Sequence, residues 1–240
     1  LWKDSNFVLG EPVSEIKYVC RNVDIIMARL IKNETVELFG KNATVPFING
    51  CDNSYHPCQI LADALTILEK FGTLDVNLMY IGAKNNVFNS HVEFFSKMKK
   101  GTLYGLTPLV NETACGPDFY EEAKKSGHYI ELDPSMSMEE AKEYANKMDV
   151  LYTDTWVDME FFNNPAYQKQ KEETLAKMMP YQLNGDFTKD SKAIVFHDMP
   201  MHVGFEISQD VVDKNLDHIL DEAENRRHAE KAVMYTLLNS

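Results

Sequence analysis

Basic residues are scarce in this chain of 240 residues, which has 24 lysines and arginines against 37 aspartates and glutamates. The formal charge of -13 argues against a nucleic-acid surface, because phosphate binding requires an excess of positive side chains. No run of about 18 apolar residues exists to span a bilayer, and Leu1–Gly10 lacks the basic and apolar parts of a signal peptide. The sequence therefore predicts a cytoplasmic protein whose partner is a small metabolite, with no nucleic acid and no membrane.

Cysteines are also few. Cys20, Cys51, Cys58 and Cys115 form no Cys-x-x-Cys pattern, and a chain long enough to bury a core does not need disulfide bonds. His56 and Cys58 lie two residues apart without a second pair of ligands, so a zinc site is not expected. We expect reduced, mostly structural thiols and no metal.

Short apolar runs alternate with amphipathic segments along most of the chain, which is typical of a parallel sheet covered by helices. The predicted strands are Ile25–Leu30, Thr44–Ile48, Val76–Ile81, Thr102–Thr107, Tyr129–Leu132, Val150–Thr153 and Ala193–His197. The predicted crossover helices are Gln59–Phe71, Asn89–Lys99, Pro117–Lys125 and Ser137–Lys147. This pattern predicts an α/β fold.

A domain boundary is predicted near Phe71–Asp75, where a helix ends at Gly72 and a new series of strands begins. Two strands and two helices in residues 1–71 form a sheet too narrow to cover itself. We therefore expect an incomplete first domain at residues 1–71 and a second domain at residues 72–221. A final helix, Glu222 to Leu238, is expected within residues 222–240 and packs back on the first domain.

Four polar clusters directly follow predicted strands, where ligands bind in open α/β sheets. They span residues 49–59, 82–90, 152–160 and 197–202. The first cluster opens a helix at Pro57, and helix N-termini favour anions. His56 and Gln59 are three residues apart and can point at one ligand, although a capping histidine and a solvated glutamine explain the same pattern.

The other clusters also allow two interpretations, a ligand site or an ordinary turn. Gly82 lacks the companion glycines of a dinucleotide fingerprint, which disfavours that class of domain, and the asparagines after it suit a carboxylate or amide ligand. Asp154 and Asp158 would attract a cation if desolvated but would do little on a solvated loop. The Met199-Pro200 step would hold the backbone extended and leave carbonyl oxygens free for a ligand amide.

Four motifs in sequence resemble those of the ornithine carbamoyltransferases. The family patterns H-P-x-Q-x-L-A-D-x-x-T, D-T/V-W-x-S-M, H-C-L-P and A-E-N-R are matched by residues 55–67, 154–159, 197–200 and 223–226. The resemblance extends from Leu9 to Leu238. It implies two doubly wound parallel-sheet domains joined by helices, one for carbamoyl phosphate, here incomplete, and one for the amine or amino acid.

The resemblance also implies an activity. The family binds carbamoyl phosphate first, and the uncharged side-chain amine of ornithine then attacks the carbamoyl carbon, giving citrulline and phosphate. No metal or organic cofactor is implied, because the catalysis consists of orientation and electrostatics. A homo-oligomer, specifically a trimer with each site at a subunit boundary, is expected.

Site residues carry over from the matching positions. Arg29 and His56 are expected to contact the carbamoyl oxygen and to stabilise the charge that develops there, which makes both catalytic. Gln59 is expected to hold the carbamoyl amide. Arg226 is expected to bind carbamoyl phosphate from the closing helix.

The remaining carried-over contacts come from loops. The backbone carbonyls of Asp198 and Met199 are expected to accept from the amide of carbamoyl phosphate. Asn86 and the Met159 backbone are expected to bind the α-carboxylate of the amino acid, and Asp154 its α-amino group.

Three positions depart from the family pattern. Asp198 replaces the Cys of H-C-L-P, Asp158 replaces the Ser of the substrate loop, and Ala83 stands where an Asp usually follows the glycine. An aspartate at 198 can act as the base that deprotonates the amine or can bind an extra cationic group. We therefore place Asp198 among the catalytic residues and Asp158 in the amine pocket. Putrescine, lysine or a shorter diamino acid stays an alternative to ornithine.

The phosphate-binding S-T-R-T-R loop of the family is missing from this sequence. It normally lies upstream of the residues that match Leu1, so we expect the sequence to be N-terminally incomplete. A catalytically inactive homologue with a regulatory or structural role is the alternative. The loop in a complete reading frame would argue against that alternative.

Overall fold

The computed structural model describes residues 11–157 and 162–240, in which parallel strands alternate with helices. A small sheet pairs β1 (Ile26–Arg29) with β2 (Phe47–Cys51). A larger parallel sheet has the order β5-β4-β3-β6-β7. Its strands are β3 (Asn77–Lys84), β4 (Thr102–Val110), β5 (Tyr129–Glu131), β6 (Val150–Thr153) and β7 (Ile194–His197). The predicted α/β fold is confirmed.

Eight α-helices lie in the described parts of the chain. They are α1 (Pro12–Cys20), α2 (Asn33–Asn42), α3 (Pro57–Phe71), α4 (Asn86–Met98), α5 (Pro117–Lys124), α6 (Met138–Ala145), α7 (Gln168–Met178) and α8 (Gln209–Leu238). Proline occupies the first turn of α3, and Gly72 ends that helix with a φ of 70°. Ser137 and Glu140 form a capping box at the start of α6, as the sequence predicts.

Several predicted boundaries are wrong, most by one to three residues, and two of them have a consequence for the fold. The second strand begins at Phe47 rather than Thr44, because Pro46 has no N–H to donate and its carbonyl accepts from Ile26 N at 2.9 Å. The last helix begins at Gln209 rather than Glu222. The predicted domain division at residue 222 therefore falls inside a continuous helix, and the division itself stays a prediction.

The larger sheet is buried on both faces, because helices cover it on each side. Leu78 and Tyr80 of β3 belong to an apolar cluster that includes Phe88 of α4. Met79, the residue between them, belongs to a second cluster that includes Val211 of α8. This alternation follows from the two-residue period of a strand. It determines which face of the sheet each side chain at the end of the strand points to.

The chain changes direction in the middle of the larger sheet. From β3 it proceeds through β4 to β5 on one side, and it then returns to place β6 and β7 on the other side of β3. The carboxyl ends of β3 and β6 consequently flank a crevice, which is where ligands bind in open sheets of this type. None of the described helices is both long and apolar enough to cross a membrane.

The loop before β4 supplies a stability test. Gly101 and Gly127 both have positive φ, 64° and 75°, but only a Cβ on Gly101 would meet backbone, 2.2 Å from the Val76 carbonyl oxygen. We expect Gly127→Ala to lower the free energy of unfolding by about 1 kcal/mol, the strain of a left-handed alanine. Gly101→Ala should cost clearly more because the start of β3 must also shift. Denaturant titration measures both, and equal losses would contradict this packing.

Candidate active site

The polar loops after β2, β3, β6 and β7 meet, together with α8, in a cleft of about 440 Å³. Seven predicted site residues line it: Arg29, His56, Asn86, Asp154, Asp198, Met199 and Arg226. Gln59 lies outside this lining and is fully buried in α3. Asp158 and Met159 lie outside the described residues. The structure thus brings together motifs that are separated by most of the chain length.

His56 both caps α3 and reaches the cleft. Its Nδ1 accepts from Gln59 N at 3.3 Å, while its own N–H donates to Ser90 Oγ at 2.7 Å. Burial, with the nearby Arg226 and Arg29 cations, lowers the pKa of His56 to about 3, so the ring is neutral at physiological pH. Because Nδ1 accepts, the single ring proton lies on Nε2, which is therefore a donor. The two interpretations of His56 are compatible.

Arg226 approaches the same point from α8. Its Nη2 lies 3.1 Å from His56 Nε2, and its Nη1 donates to Asp198 Oδ1 at 3.1 Å. With the proton on Nε2, neither nitrogen can accept from the other, while the nearest carboxylate oxygen to His56 Nε2, Asp198 Oδ2, is 3.9 Å away. A ligand oxygen beside the pair, within hydrogen-bond distance of both nitrogens, would accept from both. This is the donor arrangement that stabilises negative charge on a carbonyl oxygen.

Arg29 supplies a further cation at the cleft. It is the last residue of β1 and is exposed, and its side chain makes no hydrogen bond or ion pair with any residue that the structure describes. An arginine in this position can bind an anionic ligand without first breaking an internal pair. Its location agrees with the predicted contact to carbamoyl phosphate, which stays a prediction.

Asp154 lies at the crevice where the strand order reverses. Asn85 Nδ2 donates to Asp154 Oδ2 at 2.7 Å, and Thr155 N donates to Oδ1 at 2.6 Å. Burial, reinforced by the charge of Asp198, raises the pKa of Asp154 to about 7. The carboxyl group can therefore gain or lose a proton near neutral pH, and a ligand ammonium beside it would favour the charged form.

Asn85 is a site residue that the sequence analysis did not identify. Its Oδ1 accepts from Phe88 N at 3.0 Å and caps α4, while its Nδ2 holds Asp154. The available signal was an asparagine directly after a buried strand and before a helical segment, a favoured N-cap residue. The family resemblance points to the neighbouring Asn86 as the residue that binds the amino acid.

Asn86 lines the cleft, but its side chain is occupied. Its Nδ2 donates to the Asp52 carbonyl at 2.8 Å and lies 3.4 Å from Cys51 Sγ. Asp52 in turn accepts from Ser54 N and Tyr55 N, which fixes the loop after β2. Asn86 must therefore release the loop to bind an α-carboxylate with both N–H groups.

The loop after β7 presents backbone oxygens. Met199 and Pro200 are joined by a cis peptide bond, which the sequence did not predict. No described residue donates a hydrogen bond to the carbonyl oxygen of Asp198 or Met199, and both residues line the cleft. These carbonyls are available to an amide donor, as the resemblance implies.

The sequence matches two halves of one family. Residues 5–69 match "Aspartate/ornithine carbamoyltransferase, carbamoyl-P binding domain", and residues 74–237 match "Aspartate/ornithine carbamoyltransferase, Asp/Orn binding domain". The chain belongs to the aspartate/ornithine carbamoyltransferase family. The resemblance inferred from the four motifs is therefore confirmed.

Individual relatives agree with this assignment. The chain is 33% identical over 244 residues to "Ornithine carbamoyltransferase" of Archaeoglobus fulgidus, covering 99% of this chain and 74% of the relative. It is 37% identical over 246 residues to that of Pyrococcus horikoshii, covering 95% of this chain and 70% of the relative. Its fold superposes on ornithine carbamoyltransferase from Pyrococcus furiosus with a TM-score of 0.83 at 33% identity, covering 99% of this chain and 74% of that one.

Asp154 and His56 should affect stability with opposite pH dependence. The folded-state pKa of Asp154 is raised from 3.8 to about 7, so its contribution to the free energy of unfolding is largest below pH 4 and is lost as the pH rises through 7. The pKa of His56 is lowered from 6.5 to about 3, so its contribution is present above pH 6.5 and is lost on acidification.

We therefore expect the stability gap between parent and Asp154→Asn to be larger at pH 5 than at pH 7. The gap between parent and His56→Gln should be smaller at pH 5 than at pH 7. Chemical denaturation at the two pH values measures both gaps. Gaps that change in the same direction would contradict the assigned protonation states.

Proposed function

We propose that the protein transfers the carbamoyl group of carbamoyl phosphate to the side-chain amine of ornithine, giving citrulline and phosphate. The observation that carries this proposal is the pair of donors formed by His56 Nε2 and Arg226 Nη2, 3.1 Å apart beside the free guanidinium of Arg29. Donors fixed in advance around a carbonyl oxygen stabilise the charge that grows on it during attack. Several similar proteins are named ornithine carbamoyltransferase.

In this proposal the amine nitrogen attacks the carbamoyl carbon, the new C–N bond forms, and the bond from carbon to the phosphate oxygen breaks. Arg29 and His56 bind the carbamoyl oxygen, and Asp198 accepts the proton that the attacking amine loses. Asp154 holds the α-amino group, while Asn86, Asp158 and Met159 complete the amino-acid pocket. Burial raises the pKa of the Asp198 carboxyl although Arg226 opposes this, which suits a group that must receive a proton.

A comparison of Arg226 with the neighbouring Arg227 distinguishes a specific contact to carbamoyl phosphate from a general effect of positive charge. Arg227 is exposed, and among the residues that the structure describes its ion pair is with the exposed Glu224 at 2.7 Å. We expect Arg226→Gln to raise the KM for carbamoyl phosphate about thirtyfold, equivalent to about 2 kcal/mol, because a partly buried charge contact is lost. Arg227→Gln should leave this KM unchanged. Equal effects of the two substitutions would remove Arg226 from the carbamoyl phosphate site.

A second candidate amine is favoured by the carboxyl groups of Asp154 and Asp198, because the charge of Asp198 raises the pKa of Asp154. A substrate that presents an ammonium group where ornithine presents its carboxylate, such as putrescine, would relieve this repulsion better than ornithine. Lysine and a shorter diamino acid carry the same charges as ornithine and stay the further alternatives.

A carbamoyl-phosphate-dependent assay against ornithine and these amines tests both candidates. Asp198→Cys should shift the preference toward ornithine about tenfold in relative kcat/KM, equivalent to about 1.4 kcal/mol. Asp198→Asn, which removes the charge without adding a thiol, should produce part of this shift. An unchanged preference would leave ornithine as the amine. No product with any amine would favour the inactive homologue.

We further propose, from the family resemblance, that the protein is a cytoplasmic homotrimer in arginine metabolism. The same resemblance supports assigning residues 1–71 to the carbamoyl phosphate domain and residues 72–221 to the amine domain. Helix α8 would join them, since Asn225 Nδ2 donates to Thr66 Oγ1 of α3 at 3.0 Å.

A further inference from the structure

A buried group of polar side chains lies behind the cleft and surrounds the Gln59 amide. Gln59 Nε2 donates to Asp63 Oδ1 and to Glu222 Oε1, each at 2.9 Å, and lies 3.4 Å from the hydroxyl of Tyr152. Gln59, Asp63, Glu222 and Tyr152 are all at most 1% exposed. These contacts favour one orientation of the Gln59 amide, because only its NH₂ group can donate to the carboxyl oxygens of Asp63 and Glu222.

The opposite end of the same amide is unpaired. Gln59 Oε1 is buried and accepts no hydrogen bond from any residue that the structure describes. An unpaired buried oxygen costs free energy unless a donor reaches it. The carbamoyl NH₂ group of the proposed substrate is such a donor.

Each oxygen of Glu222 accepts a hydrogen bond in this arrangement. Its Oε1 accepts from Gln59 Nε2, and its Oε2 accepts from His197 N at 2.8 Å, directly before Asp198. The one side chain therefore connects the first turn of α3 with the end of β7. Both of its oxygens accept, a requirement that a carboxyl group meets and an amide does not, because an amide NH₂ only donates.

Asp63 differs from Glu222 because it faces a histidine. His91 Nδ1 lies 2.9 Å from the Val87 carbonyl, which only accepts, so Nδ1 carries a proton. Burial lowers the pKa of His91 to about 4, so the ring is neutral and Nε2 has no proton. Asp63 Oδ2 lies 3.2 Å from this Nε2, but neither atom makes a hydrogen bond with any residue that the structure describes. Burial raises the pKa of both Asp63 and Glu222 well above their ordinary values, and the two carboxyl groups also hydrogen-bond to each other.

We propose that Glu222 is a positioning residue for carbamoyl phosphate, which fixes the Gln59 amide so that Oε1 is presented to the carbamoyl NH₂ group. This inference rests on the proposed function. Glu222 does not touch the substrate; it acts through Gln59, and its bond to His197 N holds the neighbouring loop in register with α3.

The test compares two ligands that differ only at the group that Gln59 would bind. Acetyl phosphate has a methyl group where carbamoyl phosphate has NH₂, so the ratio of its Kd to that of carbamoyl phosphate reports the amide contact. We expect the full chain to prefer carbamoyl phosphate. In Glu222→Gln one oxygen must serve two donors, so Gln59 reorients or loses a bond, and the ratio should fall about tenfold.

Two further substitutions separate positioning from folding. Glu224→Gln makes the same chemical change at an exposed position of α8 and should leave the ratio unchanged. Asp63→Asn should lower the ratio less than Glu222→Gln, because an asparagine oxygen can still accept from Gln59 Nε2 while Glu222 keeps its own bonds. Glu222→Asp replaces Glu222→Gln if the latter does not fold. It keeps the charge but is one carbon shorter, so it should show the same selective loss.

Isothermal titration with the two acyl phosphates gives every ratio. A loss confined to carbamoyl phosphate in the Glu222 variants supports the inference. Equal weakening of both ligands would show that Glu222 only supports the fold, and would overturn it while leaving the proposed function in place. Binding of neither ligand by the parent would overturn the proposed function and this inference together.

Discussion

Burial of charge at the carboxyl ends of β3, β6 and β7 is the constraint on which the site depends. Asp154, Asp198 and Glu222 are almost completely removed from water. Hydrogen bonds and ion pairs from fixed donors offset the free-energy cost of burying each of them. Those donors come from different elements: Asn85 from the start of α4, the His197 N–H from the end of β7, and Arg226 from α8. Satisfying the acids therefore determines how the elements are arranged around the cleft.

The same constraint explains the unusual protonation states. A carboxyl group at this depth holds its proton more firmly, and a histidine beside two arginines releases its proton more easily. The pKa of Asp154 is consequently raised and that of His56 lowered from their ordinary values. Burial together with the neighbouring charges thus brings the pKa of the Asp154 carboxyl group near neutral pH, and the helix and strand ends orient it.

Local signals allowed much of the fold to be predicted. Strand β6 was predicted with its exact limits, because Val150–Thr153 is a short apolar run between charged and polar segments. The end of α3 was predicted because Gly72 allows a left-handed residue. The start of α8 was missed, since its first half is mostly polar. Val211, Val212 and Ile219 are its buried apolar residues, and they do not form a regular helical stripe in the sequence. Helix α7 was also missed, because Met178 is its only buried residue.

The site contacts that join residues far apart in the sequence could not be predicted. Motif residues such as His56 and Arg226 could be proposed because each carries a recognisable local pattern. Glu222 could not, since its role depends on a bond to Gln59, 163 residues away in sequence. Asn85 was likewise indistinguishable from its neighbour Asn86 without the position of Asp154.

One consequence concerns the register of α8. Glu222 and Arg226 are four residues apart and share a face of one uninterrupted helix, which ends only at Leu238. An insertion or deletion of a single residue between them would turn one away from the other by about 100°. The positions of the cation that faces the cleft and of the acid behind it therefore both depend on the length of the helical segment between them.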